Sequence, residues 1–182
     1  MPRIPAHTID SAPEGSRATL AEISKRMGKT LNIHAGMAHS PVVLATYAAM
    51  SAALRQHGTF DARTREAVAL AVGNENECHY CQSAHTVSAK AAGLTEEQTI
   101  AIRAGRVDFD DKLASIAEVA RQIAAATGAV SDEAWSAALA AGWSEEDLAE
   151  TFAHVAVNLY TNYFNHFAGT ELDLPAAPPV SA

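Results

Sequence analysis

Apolar residues recur along the chain at three- and four-residue intervals, and the runs are broken by glycines followed shortly by Ser, Thr or Asp and then acidic residues. This is the punctuation of amphipathic helices, with glycine as the stop and a short polar side chain as the next start. It predicts a short helix over 14–27 stopped by Gly28, then one opened by Ser40-Pro41 that runs to Gln56 before Gly58. Asp61 caps a third over 62–72 that Gly73 ends, Asn74–Glu77 is a polar turn, and a fourth runs from Cys78 to Ala92 and closes on Gly93. Thr95-Glu96-Glu97-Gln98 has the capping-box order and opens a short helix to Gly105. Asp110–Ala126, then Ser131–Ala141, then a long helix from Ser144 to Phe167 complete the series. No run alternates apolar and polar residues, so no strand is expected. The expected fold is all-α, a single-domain bundle of seven to eight helices with Cys78-x-x-Cys81 at a helix N-terminus.

The longest helix carries two faces. Leu148, Phe152, Val155, Leu159 and Tyr163 read as its core stripe. His154, Asn158, Asn162 and His166, spaced by four, read as a buried hydrogen-bonded seam at a subunit interface or beside a site. Twelve residues at ~1.5 Å rise put His154 and His166 ~18 Å apart, too far to share one metal. His34 and His39 flank an expected loop and read as surface residues, while Trp135 and Trp143 read as core or interface anchors. Ala91–Gln98 is echoed by Ala140–Asp147, either as a duplicated helical hairpin or as one shared way of joining two helices. Leu174–Pro179 cannot hold regular structure and is either an extended arm or disordered.

Composition narrows the function. Apolar types are 48% and charged types 19% of 182 residues, enough for a real core, and 40 residues are alanine, the best helix former. The charge is −8 with no basic run, which disfavours nucleic acid and anionic membrane surfaces as partners. The longest apolar run, Pro41 to Leu54, is shorter than the ~20 residues of a bilayer span. No apolar stretch follows Met1-Pro2-Arg3-Ile4-Pro5, so a cytoplasmic location is expected. Two cysteines three residues apart do not make a secreted disulfide framework.

Chemistry concentrates between Glu66 and His85. Cys78, Cys81 and His85 stand at i, i+3 and i+7, within about 60° of one another around a helix. The cysteines occupy its first turn, where free N–H groups and the helix dipole favour a thiolate. Glu66 and His85 are equidistant from a point between Glu75 and Asn76, so an antiparallel hairpin would bring them face to face. The acid would then orient the imidazole and the imidazole would serve a thiol. Three readings fit these residues: small buried cysteines, a zinc site with Glu66 as fourth ligand, or a redox dithiol. Structural zinc usually gathers two separated ligand pairs, whereas three ligands here crowd one short stretch of helix. The absence of a strand before Cys-x-x-Cys argues against a thioredoxin-like fold.

Glu66, eleven intervening residues, Cys78-x-x-Cys81, three residues and His85 together resemble the signature of the alkylhydroperoxidase D-like branch of the carboxymuconolactone decarboxylase family. Arg65–Leu70, Cys78–Thr86 and Asn162–Phe167 with Glu171–Pro175 are similar to its peroxidase-related members. The likeness covers roughly residues 28–175, and the organisation expected is an arm and short helix over 1–30, the alkylhydroperoxidase D-like domain over 31–170 and a Pro-rich tail over 171–182. The resemblance implies a thiol peroxidase acting on hydrogen peroxide or organic hydroperoxides. In it Cys81 attacks through a sulfenic acid, Cys78 closes the disulfide, and Glu66 with His85 relays protons. It also implies a closed homo-oligomer, trimer or hexamer, re-reduced by a thiol reductant or adaptor protein. No cofactor is called for, because the dithiol supplies both electrons. Alkylhydroperoxidase D proper has a histidine directly before its second cysteine; here Tyr80 stands there, with His79 one position earlier and turned about 100° away. The decarboxylase branch lacks the paired cysteines, which disfavours lactone decarboxylation. A zinc-holding module on Cys78, Cys81 and His85 and a protein dithiol–disulfide oxidoreductase remain the alternatives.

Overall fold

A computed structural model describes residues 1–180; Ser181 and Ala182, the end of the expected tail, lie outside the described residues. Among the described residues the chain forms nine helices and no strand: α1 Glu14–Met27, α2 Asn32–Met37, α3 Pro41–His57, α4 Ala62–Glu75, α5 His79–Ala91, α6 Glu96–Ala104, α7 Asp111–Ala125, α8 Asp132–Ala140 and α9 Glu145–Ala168. Asp61, Thr95, Asp110, Ser131 and Ser144 cap their helices by accepting from the amide three residues on. Each such cap is worth ~1 kcal/mol. Ser40 precedes the proline-led α3 but makes no capping bond. The echoed junctions are built alike: Gly93 and Gly142 take φ of 93° and 92°, and each is followed by a capping box.

The chain departs from the expected series in two places. The additional helix is α2, six residues with a glycine and an asparagine, too short to carry a periodic signal. It withdraws His34 from the surface: the residue is 3% exposed and its ring lies tilted by 32° against Tyr47 with centroids 5.0 Å apart. Second, Gly73 does not stop α4. It stays helical and buried against Cys81, and the reversal falls instead at Glu77, in the left-handed region at φ 51°.

Helix α4 is the axis of the molecule. Residues 67–73 are all buried, so this helix is apolar on every side, as a central helix must be. One core cluster packs its Val68, Leu70 and Val72 against Ile102, Ile116, Val119 and Val155. A second gathers Leu20, Ile23, Ile33, Met37 and Leu44 with Tyr80 and both cysteines.

Helix α9 corrects the expected stripe. Leu148 and Val155 are buried and Leu159 packs on the core, but Phe152 and Tyr163 are 59% and 56% exposed. The inward face is polar instead: Thr151, His154, Asn158, Asn162 and Asn165 are all buried. His166 is exposed and bonds the Asn76 carbonyl at 2.8 Å through Nε2. A uniform spacing of four drifts ~40° per step, so by the third step the series has left the buried face, and a step of three keeps to it. Trp143 is half-buried against Phe60, whereas Trp135 is 39% exposed and anchors no core in this chain.

The chain after α9 is an ordered extended arm. Asp173 accepts from Tyr80 Oη at 2.7 Å and pairs with Lys29 at 3.5 Å, the Ala177 amide donates to Ser83 Oγ at 3.0 Å, and Arg103 donates to the Pro178 carbonyl at 2.6 Å. No helix of the described residues is long and apolar enough to cross a membrane.

Candidate active site

The α4–α5 hairpin brings Glu66 and His85 together, with Glu66 Oε2 2.8 Å from His85 Nδ1. An ionised carboxylate only accepts, so Nδ1 donates and Nε2 is left as the nitrogen that exchanges a proton. Both side chains are partly exposed, 20% and 28%. Burial works against charging the ring, but the Glu66 charge and hydrogen bond, with a charge on Cys78, outweigh it and raise the His85 pKa above its ordinary value.

The cysteines sit one turn further toward the hairpin's turn. Cys78 is the N-cap of α5 rather than a first-turn residue, and its Sγ accepts from the Cys81 amide at 3.3 Å. The two thiols are reduced, buried and hydrogen-bonded to each other. That bond from Cys81 lowers the Cys78 pKa to about 7 against the effect of burial, helped by the Cys81 amide, by Asn165 and by the positive field of His166. The same bond, with burial and repulsion from Cys78, pushes Cys81 up. Of the two, Cys78 is therefore the more acidic thiol.

Asn165 completes the sulfur environment and was missed in the sequence. Its Nδ2 donates to Cys81 Sγ at 3.2 Å and to Cys78 Sγ at 3.7 Å. The signal was present: Asn165 follows Asn162 by three, which keeps it on the face that His166 leaves.

A second acid–imidazole pair lies nearby. Glu150 Oε1 is 3.1 Å from His154 Nε2, and the same carboxylate accepts from the Thr59 amide at 2.9 Å and the Phe60 amide at 3.2 Å, tying the α3–α4 loop to α9. Burial outweighs Glu150 here, so the His154 pKa is lowered and its ring is neutral at pH 7. His154 and the Glu66–His85 pair line one pocket of about 250 Å³.

Among the described residues no group of three or more His, Cys, Asp or Glu side chains is placed to share a metal ion. Glu66 is bonded to His85, the two sulfurs share the Asn165 amide, and Cys81 stands one helical turn from His85 on α5. What the arrangement can do chemically is hold a stabilised thiolate beside a second thiol and a proton carrier.

This helical fold has known relatives. The chain belongs to the carboxymuconolactone decarboxylase family, whose family model matches residues 41–134. A crystal structure of the alkylhydroperoxidase AhpD core, an uncharacterised peroxidase-related protein from Ralstonia eutropha JMP134, superposes with a TM-score of 0.83 at 20% identity over 94% of this chain and 92% of that one. The debrominase Bmp8, crystallised as a cysteine-to-alanine variant with 2,3,4-tribromopyrrole, gives 0.79 at 13% identity over 93% and 91%. A peroxidase-related protein from Silicibacter sp. TM1040 gives 0.76 at 16% identity over 92% and 91%. These likenesses establish a shared fold. No curated protein sequence matches the chain.

Proposed function

We propose that this protein is a cysteine-based peroxidase that reduces hydrogen peroxide or organic hydroperoxides with its Cys78–Cys81 dithiol. The observation that carries the proposal is the pair of buried, reduced cysteines under the single Asn165 amide, with Cys81 one helical turn from His85 of the Glu66–His85 pair. Cys81 is the sulfur one turn from His85, and in this reading it attacks. Cys78 is the more acidic thiol, so a Cys78 thiolate takes the Cys81 proton as Cys81 becomes the nucleophile. Cys81 sulfur bonds the terminal peroxide oxygen, the O–O bond breaks, and the departing alkoxide takes a proton from protonated His85, the form that Glu66 favours. Cys78 then attacks the sulfenic acid, forming the disulfide and releasing water. One hydroperoxide and two thiols give one alcohol, one water and one disulfide, which an external dithiol or adaptor protein re-reduces. A reducing compartment such as the cytoplasm suits a cycle that begins from free thiols.

The test is anaerobic titration of the reduced protein with peroxide. The expected result is stoichiometric loss of two thiols per chain with formation of the Cys78–Cys81 disulfide, and catalytic peroxide consumption when dithiothreitol is supplied. Thiols that survive a tenfold excess of peroxide would remove the reading. A dithiol also supplies the two electrons of reductive dehalogenation, the activity that the debrominase's name carries, so faster turnover of a bromopyrrole than of any peroxide would reassign the chain. Zinc that co-purifies stoichiometrically, and whose removal unfolds the protein, would make the site a structural one.

A further inference from the structure

The pocket over Glu66 and His85 has an inner and an outer wall of different character. Its inner wall includes Ala69 of α4, His85 of α5 and Asn158 and Thr161 of α9. One helical turn from each, toward the thiols, stand Gly73, Cys81, Asn162 and Asn165. Gly73 packs on Cys81, with only 3.5 Å between the Cβ atoms were one added there, and Asn165 bonds the same sulfur at 3.2 Å. Pocket and sulfurs are therefore successive layers of one seam between α4, α5 and α9, a ~5.4 Å helical pitch apart.

The outer wall carries Arg55 from α3 and Arg65 from α4. Two other arginines of this acidic chain are ion-paired, Arg63 with Asp110 at 3.4 Å and Arg121 with Glu75 at 3.6 Å. Arg65 donates once to the Phe60 carbonyl at 2.7 Å and forms no ion pair, and the Arg55 guanidinium has neither hydrogen bond nor ion pair among the described residues. Two arginines against Glu66 leave the pocket with a formal charge of +1 when His85 is neutral, within a chain of −8. The neighbouring, mainly apolar groove beside α9 carries Glu146 and Glu150 and no arginine or lysine. A positive, concave site in a negative molecule concentrates anions. At about 250 Å³ it lies just under the ~300–1,000 Å³ of ordinary small-molecule sites, so the anion it takes is small.

We propose that this pocket selects small organic hydroperoxides that carry a carboxylate, held by Arg55 and Arg65 at the mouth with the hydroperoxide pointing down the seam to Cys81. The proposal rests on the peroxidase reading and adds the substrate class to it. Arginine is suited to the task because its planar fork meets a carboxylate through two hydrogen bonds.

The experiment compares kcat/KM for a hydroperoxy carboxylic acid of four to six carbons with that for its methyl ester, which has the same skeleton and peroxide but no charge. The wild-type protein should prefer the acid by ~10–100-fold, the effect of one or two charge-assisted hydrogen bonds. In the Arg55→Gln/Arg65→Gln variant the ratio should fall to within about threefold of one, chiefly through KM. Arg55→Gln alone, which removes no bond of the fold, should give an intermediate ratio. A wild-type ratio near one, or a ratio the variants leave untouched, overturns the substrate assignment. If no hydroperoxide is reduced at all, the peroxidase reading fails, and the pocket is then judged separately. The corresponding hydroxy acid should raise the melting temperature of the wild type and not of the double variant, and no shift in either would sink the anion site too.

Discussion

The Asn165 amide nitrogen lies 3.2 Å from Cys81 Sγ and 3.7 Å from Cys78 Sγ, so a single uncharged donor serves both sulfurs of the buried pair. Among the described residues no lysine or arginine bonds either sulfur, and stabilisation of a Cys78 thiolate falls to the Cys81 side chain first, then to the Cys81 N–H, the Asn165 amide and the field of His166. A hydrogen bond to a charged group is worth ~1.5–3 kcal/mol, or roughly one to two pK units. Asn165→Ala should therefore move the pH midpoint of Cys78 alkylation upward from about 7, toward an ordinary thiol. Iodoacetamide labelling across pH 5–10, resolved by peptide mass spectrometry, measures it. A midpoint that stays put would show that the amide only fills space.

The order of the two thiols is tested by trapping. If Cys81 attacks, the Cys78→Ser protein keeps a sulfenic acid on Cys81 that dimedone labels after one equivalent of peroxide, while Cys81→Ser gives no label. Both variants should lose turnover. Labelling of Cys78 in Cys81→Ser, with none in the reverse case, would invert the roles and agree with Cys78 as the more acidic thiol.

Much of this site was readable before the structure. A hairpin centre between Glu75 and Asn76 follows from the polar turn, and it alone pairs Glu66 with His85, which meet at 2.8 Å. What was not readable depends on tertiary choice. The buried seam of His154, Asn158 and Asn162 was read in the sequence, but not its continuation through Asn165 to the thiols in place of His166, nor that Phe152 and Tyr163 would face outward. Nothing in the apolar spacing of α9 itself could favour that face over the one carrying Phe152 and Tyr163. Tail order was hidden for a related reason. Leu174–Pro179 has no local structural preference; Ser83 and Arg103 hold its Ala177 and Pro178, and Tyr80 holds Asp173 just before it, partners that only the folded surface provides. Helix α2 is held by burial of Ile33 and Met37 rather than by propensity.

Glu66→Gln should cripple the thiol chemistry without unfolding the protein. Glutamine keeps the shape and one hydrogen bond to His85 but removes the charge that holds the ring's pKa up, so burial would prevail and the ring would titrate lower. A neutral His85 cannot protonate the departing alkoxide at pH 7. General acid–base assistance is typically worth ~10²–10⁴-fold, so peroxide turnover should drop by that order, and the fall in activity with rising pH should begin at lower pH than in wild type. Activity within threefold of wild type, with an unshifted profile, would leave Glu66 a structural acid.

His34 should make the protein acid-sensitive in a defined window. Its ring is 3% exposed, Nδ1 has no partner among the described residues, and burial first, then the positive field of Arg26, depress its pKa to about 4. The neutral ring is the folded form, whereas the unfolded chain binds a proton near pH 6.5. Stability is therefore complete above pH 6.5 and falls as pH drops toward 4, by ~3 kcal/mol for a shift of this size. His154, whose pKa is also lowered, acts with the same sign, so the difference between proteins is the quantity to read. Urea denaturation of wild type and His34→Gln at pH 7.0 and 4.5 should show the variant less stable at pH 7 but losing less on acidification. Equal losses in the two proteins would remove His34 as the cause.

The exposed side of α9 points to assembly. Phe152, Tyr163 and Phe167 are 59%, 56% and 65% exposed, and Val42 on α3 is 70% exposed. Of the seventeen residues of α3 only Leu44 is fully buried, although the helix is rich in alanine, valine and leucine. Two grooves flank these side chains, one of about 470 Å³ among Met37, Val43, Tyr163 and Phe167, the other of about 570 Å³ among Met50, Leu54, Phe152 and Ala156. Apolar ridges beside apolar grooves on one face are complementary to a second copy, and the family resemblance implies a closed trimer or hexamer. Each ring withdrawn from water contributes ~1.5–3 kcal/mol, so two charged replacements should suffice to break the contact. Light scattering at micromolar concentration should give a multiple of 19.1 kDa for the wild type and a monomer for Phe152→Glu/Phe167→Glu, with helical content retained. A wild-type mass near 19.1 kDa would leave the α3–α9 face without a partner of its own kind and remove the assembly from the picture.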